Sequence, residues 1–198
     1  LIDLDAFLKK IPPKGDIVKE VNQECSTPLI FGGNISSLMD ALVIINNGAD
    51  KILINTNLKK KLAKELSNYF GKQAVVAGID LIKKNDKYVV FNKKKYVDPL
   101  KWIKKILKMD VGELKVTFVD YEGSGKNFDY RYAKKILEYS DRPVIFEGGF
   151  GNVEHINKAV KLGIDSIALG SMLIYRDNNI FKIKQYLENN GHTVRLRN

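Results

Sequence analysis

The chain repeats itself. Residues 28–56 read PLIFGGNISSLMDALVIINNGADKILINT, and residues 143–171 read PVIFEGGFGNVEHINKAVKLGIDSIALGS. In each copy a proline leads an apolar run and a Gly-Gly pair follows. An amphipathic segment comes next, and a Gly-x-Asp turn opens a second apolar run ending in a small polar pair. Pro28 and Pro143, Gly48 and Gly163, and Thr56 and Ser171 each stand 115 apart, and Gly32 and Gly148 stand 116 apart. A period that holds across two strand–helix units restricts the chain to an architecture assembled from halves. At roughly 25–30 residues per unit, one period holds four βα units, and two halves hold eight. Eight parallel βα units are the count of the (β/α)8 TIM barrel.

The remainder of the sequence keeps this rhythm. Short runs, most of them apolar on both faces, stand at 1–4, 29–31, 52–54, 74–79, 114–119, 144–146 and 166–169. Helical patterns fall between them at 17–24, 37–46, 60–69, 100–107, 131–139, 153–162 and 181–189. Continuous apolar strands separated by helices predict a parallel sheet covered on its outer face. One insertion, residues 86–96, reads as a small exposed hairpin. Counting back one period from the run at 74–79 puts the first strand of the first half about 40 residues before Leu1. The expectation is therefore a single barrel domain over residues 1–198 that lacks its first βα unit, the run at 1–4 being strand two.

Composition narrows the function classes. With 44% hydrophobic and 28% charged residues, the chain has the make-up of one globular domain and not of a disordered or collagen-like segment. No run is long enough to span a bilayer and no cleavable leader is visible, so a cytoplasmic protein without a membrane partner is expected. One cysteine, Cys25, and two histidines exclude a disulfide framework and most structural zinc sites, and neither a metal nor a cofactor is expected. The formal charge of +10 favours anionic partners. The lysine runs 59–61 and 93–95 have no aromatic stacking platform beside them, so nucleic acid is not the expected anion. His155, His192 and Trp102 read as surface or packing residues.

In such barrels the active site is built from the loops that follow the strands. Gly33 and Asn34, Asn55 and Thr56, Gly148 and Gly149, and Gly170 and Ser171 occupy those positions. Glycine there lets backbone N–H groups approach an anion, and a following helix N-terminus adds partial positive charge. Two copies of this feature, half a barrel apart, predict a substrate with a phosphate at each end. Asp80, closing the run AVVAGID, is the leading acid/base candidate, because a carboxylate ending an apolar strand is partly desolvated. Asp120 and Glu122 follow the run at 114–119 in a Gly-containing loop, where acidic residues also serve simply as turn formers. The symmetry partner of Asp80 would fall about 35 residues before Leu1.

Taken together, FGGNI at 31–35, GADKILINT at 48–56, FGKQAVVAGID at 70–80, VTFVDYEGSGKNFD at 116–129, EGGFGNVEH at 147–155 and the ending IKQYLENNGHTVRL resemble the cyclase subunit of imidazole glycerol phosphate synthase. The resemblance runs over essentially the whole chain. It implies a lyase of histidine biosynthesis that cyclises a ribulosyl-formimino aminoimidazole carboxamide ribonucleotide with ammonia. The products would be imidazole glycerol phosphate and aminoimidazole carboxamide ribotide. It also implies a glutaminase partner docked at the N-terminal rim, which feeds ammonia through the barrel. By the same resemblance Asp80 is a catalytic acid/base. Gly33, Asn34, Asn55 and Thr56 form one phosphate site, and Gly148, Gly149, Gly170 and Ser171 the other. Thr117, Asp120 and Glu122 belong to the substrate loop, and Lys51 and Glu113 to the ammonia gate.

The sequence departs from that pattern in three places. The usual GGGI is GGNI, the usual Asp-Arg-Asp-Gly loop is DYEG at 120–123, and Glu147 replaces a serine before the second Gly-Gly. A carboxylate beside a phosphate site is unfavourable unless it is paired. These departures leave open a paralogue serving surface-sugar amidation, also with a glutaminase-type partner, and an inactive barrel that acts only as a binding partner.

Overall fold

The computed structural model describes residues 1–92, 95–126, 128–175 and 178–195. Lys93, Lys94, Asn127 and Leu196, which fall in segments singled out above, lie outside the described residues. The elements follow the predicted alternation. Helices α1 (Leu4–Lys9) and α2 (Gly15–Glu24) precede β1 (Ile30–Gly32), α3 (Leu38–Asn46), β2 (Lys51–Ile54), α4 (Lys60–Phe70) and β3 (Val75–Lys84). Next come β4 (Lys87–Phe91), β5 (Tyr96–Val97), α5 (Pro99–Ile106), β6 (Glu113–Phe118) and α6 (Tyr130–Tyr139). The chain ends with β7 (Val144–Glu147), α7 (Val153–Lys161), β8 (Ser166–Ala168), α8 (Ser171–Ile174) and α9 (Ile180–Asn189).

The sheet runs β1-β2-β3-β6-β7-β8, each pairing parallel, with β4 and β5 added antiparallel beside β3. Side-chain alternation sorts the strands into two faces. On β6, Leu114, Val116 and Phe118 are fully buried toward the helices, where Ile103 of α5 and Ala133 and Ile136 of α6 are equally buried. The opposite face carries Glu113, Lys115 and Thr117. Residues of β1, β2, β3, β6 and β7 all border one common cavity, so the sheet curls around it. This curled parallel sheet wrapped in helices is the (β/α)8-barrel plan.

The internal repeat reaches down to the helix caps. Ser37 accepts the backbone N–H of Asp40 at the start of α3, and Asn152 accepts that of His155 at the start of α7. Asp40 also returns a bond to the Ser37 N–H, completing a capping box. Both helices end on a glycine with positive φ, Gly48 at 109° and Gly163 at 83°. The Gly48 N–H donates to Ile45 and the Ala49 N–H to Ile44, while the Gly163 N–H donates to Val160 and the Ile164 N–H to Ala159. Every residue in these pairs stands 115 from its counterpart, so the copies share chain geometry as well as sequence.

Two expectations are corrected. The run at 1–4 forms one bridge, Ile2 to Gly32, and is not a strand through Leu4. The Asp3 carboxylate accepts the Ala6 N–H at 2.9 Å and thereby starts α1 directly after the bridge. Nor does the run at 74–79 end near Asp80. β3 continues to Lys84 and turns through Asn85 and Asp86, with φ of 47° and 59°, into β4. Two successive left-handed residues make the tight hairpin turn that suits strand twist. No helix among the described residues is long and apolar enough to cross a membrane.

Arg142, just before β7, fastens the outer layer to the sheet. Its guanidinium donates to the carbonyls of Leu107 at 2.8 Å, Met109 at 3.2 Å and Val111, in the segment that follows α5. Charged donors to buried carbonyls each contribute on the order of 1.5–3 kcal/mol. Arg142→Met should lower the stability measured by urea unfolding by about 3 kcal/mol, with little change in the denaturant slope.

Candidate active site

A cavity of about 300 Å³ opens where the strands end. Its wall is built from the segment at Ile2–Leu4, the Gly-Gly loop after β1, Asn55–Asn57 after β2, and the inward residues of β3, β6 and β7. Strand register fixes the central row. Asp80 is the direct partner of Thr117, and Thr117 of Glu147. Adjacent strands lie about 4.8 Å apart, so the two carboxylates flank Thr117 at a backbone spacing of about 10 Å.

Asp80 accepts a hydrogen bond from the Asn55 amide at 2.8 Å. Burial raises its carboxyl above the ordinary range and Glu147 adds to the rise, while the Asn55 bond and the Lys115 ammonium oppose it. Gly78 makes the Asn55 contact possible. A β-carbon there would lie 2.8 Å from the β-carbon of Asn55. The β3 sequence AGID thus provides a gap, at Gly78, and the carboxylate that uses it.

Lys115 and Glu147 form an ion pair that sequence reading did not anticipate. Their side chains are 11% and 21% exposed. The Lys115 ammonium also donates to the Thr117 hydroxyl at 3.0 Å, and that hydroxyl donates to Glu147 at 2.9 Å. The carboxylate at 147, which looked unfavourable beside a phosphate site, therefore has two donors of its own. The signal lay in β6: Lys115 has the same strand parity as Glu113 and Thr117, which puts it inside the barrel.

The two Gly-Gly copies differ in what they border. Gly33, Asn34, Asn55 and Thr56 line the cavity, whereas Gly148, Gly149, Gly170 and Ser171 lie outside its lining. Asn34 keeps the left-handed conformation at φ 45°, which asparagine tolerates better than other side-chain-bearing residues. Its side chain is spent on structure, donating to the Ile11 carbonyl at 2.9 Å and accepting from Asn57 at 3.3 Å. That accounts for GGNI. Asp3 is buried beside Gly33, and its second carboxylate oxygen lacks a partner. Gly148 packs where a β-carbon would meet the Phe118 carbonyl at 2.5 Å.

Of the loop acids, Glu122 stands on the cavity wall, and partial burial together with Glu147 raises its carboxyl. Asp120 is turned away and accepts the Lys83 backbone N–H at 2.6 Å, tying the loop to β3. At the opposite end of the strands Lys51 meets Glu113 at 2.8 Å, reaching across β3 inside the barrel. No group of three or more His, Cys, Asp or Glu among the described residues is placed to hold a metal ion.

Comparison with known proteins agrees with this architecture. The family described as "Histidine biosynthesis protein" matches residues 1–179. A protein of Pyrobaculum aerophilum called imidazole glycerol phosphate synthase subunit HisF is 33% identical over 187 residues, covering 91% of this chain and 74% of its own. Proteins of the same name are similar at 34% identity in Dictyoglomus thermophilum, over 188 residues, and in Bacillus subtilis, over 189 residues. Each alignment covers 91% of this chain and 75% of the relative. With a curled parallel sheet, a duplicated strand–helix unit and a match over nearly its full length, the chain belongs to the histidine biosynthesis protein family.

Proposed function

We propose that the chain is the cyclase subunit of an imidazole glycerol phosphate synthase. It takes the ribulosyl-formimino aminoimidazole carboxamide ribonucleotide, a bisphosphate, and ammonia to imidazole glycerol phosphate and aminoimidazole carboxamide ribotide. The observation that carries this reading is Asp80: a desolvated carboxylate, fixed by Asn55, on the wall of a cavity in a chain of this family. Asp80 exchanges protons with the substrate during addition and ring closure. Backbone N–H groups of Gly33 and Asn34, with Asn55 and Thr56, hold one phosphate, and those of Gly148, Gly149, Gly170 and Ser171 hold the other. Thr117 on β6 and Glu122 in the loop after it face the substrate, and Asp120 works by anchoring that loop to β3. The relatives are named as subunits, which supports a second chain in the assembly. A glutaminase seated against the Lys51–Glu113 end would deliver ammonia past that pair.

The decisive assay is ammonia-dependent turnover of the bisphosphate by purified protein. Asp80→Asn should lower kcat by about 10²–10⁴-fold while bisphosphate affinity changes little, and retained turnover removes Asp80 from the mechanism. The same variant carries a stability signature. A carboxyl whose folded pKa is raised favours the fold when protonated and opposes it once ionised. Asp80→Asn should therefore melt at or above wild type at pH 7, with the gain vanishing as the pH falls below the carboxyl's unfolded value.

Gly78→Ala gives an independent check. The added methyl displaces Asn55, Asp80 loses the bond that lowers its pKa, and the acid limb of the kcat/KM profile moves to higher pH. An unmoved limb would detach Asn55 from the tuning of Asp80.

A further inference from the structure

The buried cation at the cavity floor has no role in the reading above. Inward positions of barrel strands are ordinarily filled by branched apolar side chains. Lys115 occupies such a position on β6, yet its ammonium borders the cavity. An ammonium carries three N–H donors. One goes to Thr117 and one to Glu147, which leaves the third. Among the described residues, Lys115 is the one cationic side chain on a wall that also carries Asp3, Asp80, Glu122 and Glu147. Its charge opposes the rise of the Asp80 and Glu122 carboxyls. Asp80 and Glu147 flank Thr117, the residue whose hydroxyl Lys115 binds, in the row that crosses β3, β6 and β7.

We propose that Lys115 is a catalytic residue of the reaction assigned above, donating its remaining N–H to the carbonyl oxygen of the ketose part of the substrate as ammonia adds. The inference rests on that assignment for the identity of the ketose. In the addition step the nitrogen lone pair forms the C–N bond and the C=O π pair moves onto oxygen. Asp80 takes a proton from nitrogen and returns it to oxygen, so ketone and ammonia give the carbinolamine. Lys115 keeps its own proton and stabilises the charge on oxygen, which exists only as the bond forms. Glu147 and Thr117 are positioning residues. They hold the ammonium in place on the cavity wall.

The test uses Lys115→Met combined with Glu147→Gln, which removes both charges and leaves neither buried alone, and Glu147→Gln by itself, which keeps the cation and its Thr117 bond. With melting curves confirming folded protein, the double variant should lose about 10²–10³-fold in kcat with KM within a few-fold of wild type. Glu147→Gln should stay within about 10-fold of wild-type kcat, because the ammonium and its bond to Thr117 remain. A double variant with wild-type kcat overturns the proposal, as does one that loses no more than Glu147→Gln.

A binding measurement separates this from failure of the assigned reaction. Ribulose 5-phosphate and ribitol 5-phosphate differ at the carbonyl, and calorimetry should show wild type preferring the ketose about 10-fold, with the preference lost in the double variant. If wild type does not turn the bisphosphate over with ammonia, the assigned reaction falls. The ketose preference then decides Lys115: present in wild type and erased in the double variant it sustains the carbonyl site, and absent in wild type it overturns it.

Discussion

Burying an ammonium inside a curled parallel sheet obliges the fold to supply an anion within bonding reach, because an isolated charge there costs several kcal/mol. Lys115 imposes that demand, and Glu147, one strand away, meets it. The consequences spread through the site. The pairing needs β6 and β7 in the register that sets Thr117 beside Glu147, since the threonine hydroxyl completes the triangle. The same register on the other side sets Asp80 beside Thr117. A slip of one residue would turn the whole row to the helix-facing side. The ion pair and the candidate catalytic carboxylate are thus held by one set of ladder bonds. Removing either charge alone would leave the other uncompensated, at a cost of about 3–5 kcal/mol.

Much of this was legible in the sequence, and the limits follow physical lines. The duplicated unit could be read because its signals are local: capping residues Ser37 and Asn152, and glycines 48 and 163 where the chain must turn left-handed. Asp80 could be read because it interrupts an apolar run. The Lys115–Glu147 pair could not, because its members lie 32 residues apart and each alone looks like an ordinary charged residue. Only strand parity, applied to Glu113, Lys115 and Thr117 together, puts all three inside. The misread run at 1–4 has a related cause: the carboxylate of Asp3 is a helix cap, accepting the Ala6 N–H. Asp120 and Glu122 show the same limit, for their opposite orientations depend on the Lys83 N–H, 37 residues away in sequence from Asp120.

Charge is where composition and site diverge most. The chain carries +10, yet among the described residues the cavity wall bears four carboxylates and one ammonium. Lysine excess therefore does not make this cavity attractive to phosphate. Any anion held here must be held by backbone N–H groups and helix N-termini, whose partial charges are fixed in place and carry no desolvation cost comparable to that of a buried lysine. That division suits a ligand whose phosphates sit at its ends. The rim loops are rich in glycine, and the charged side chains line the interior. Glu147 is tolerated next to the second Gly-Gly because Lys115 and Thr117 compensate its charge. Glu147 and Lys115 therefore act as one unit, each compensating the other's charge.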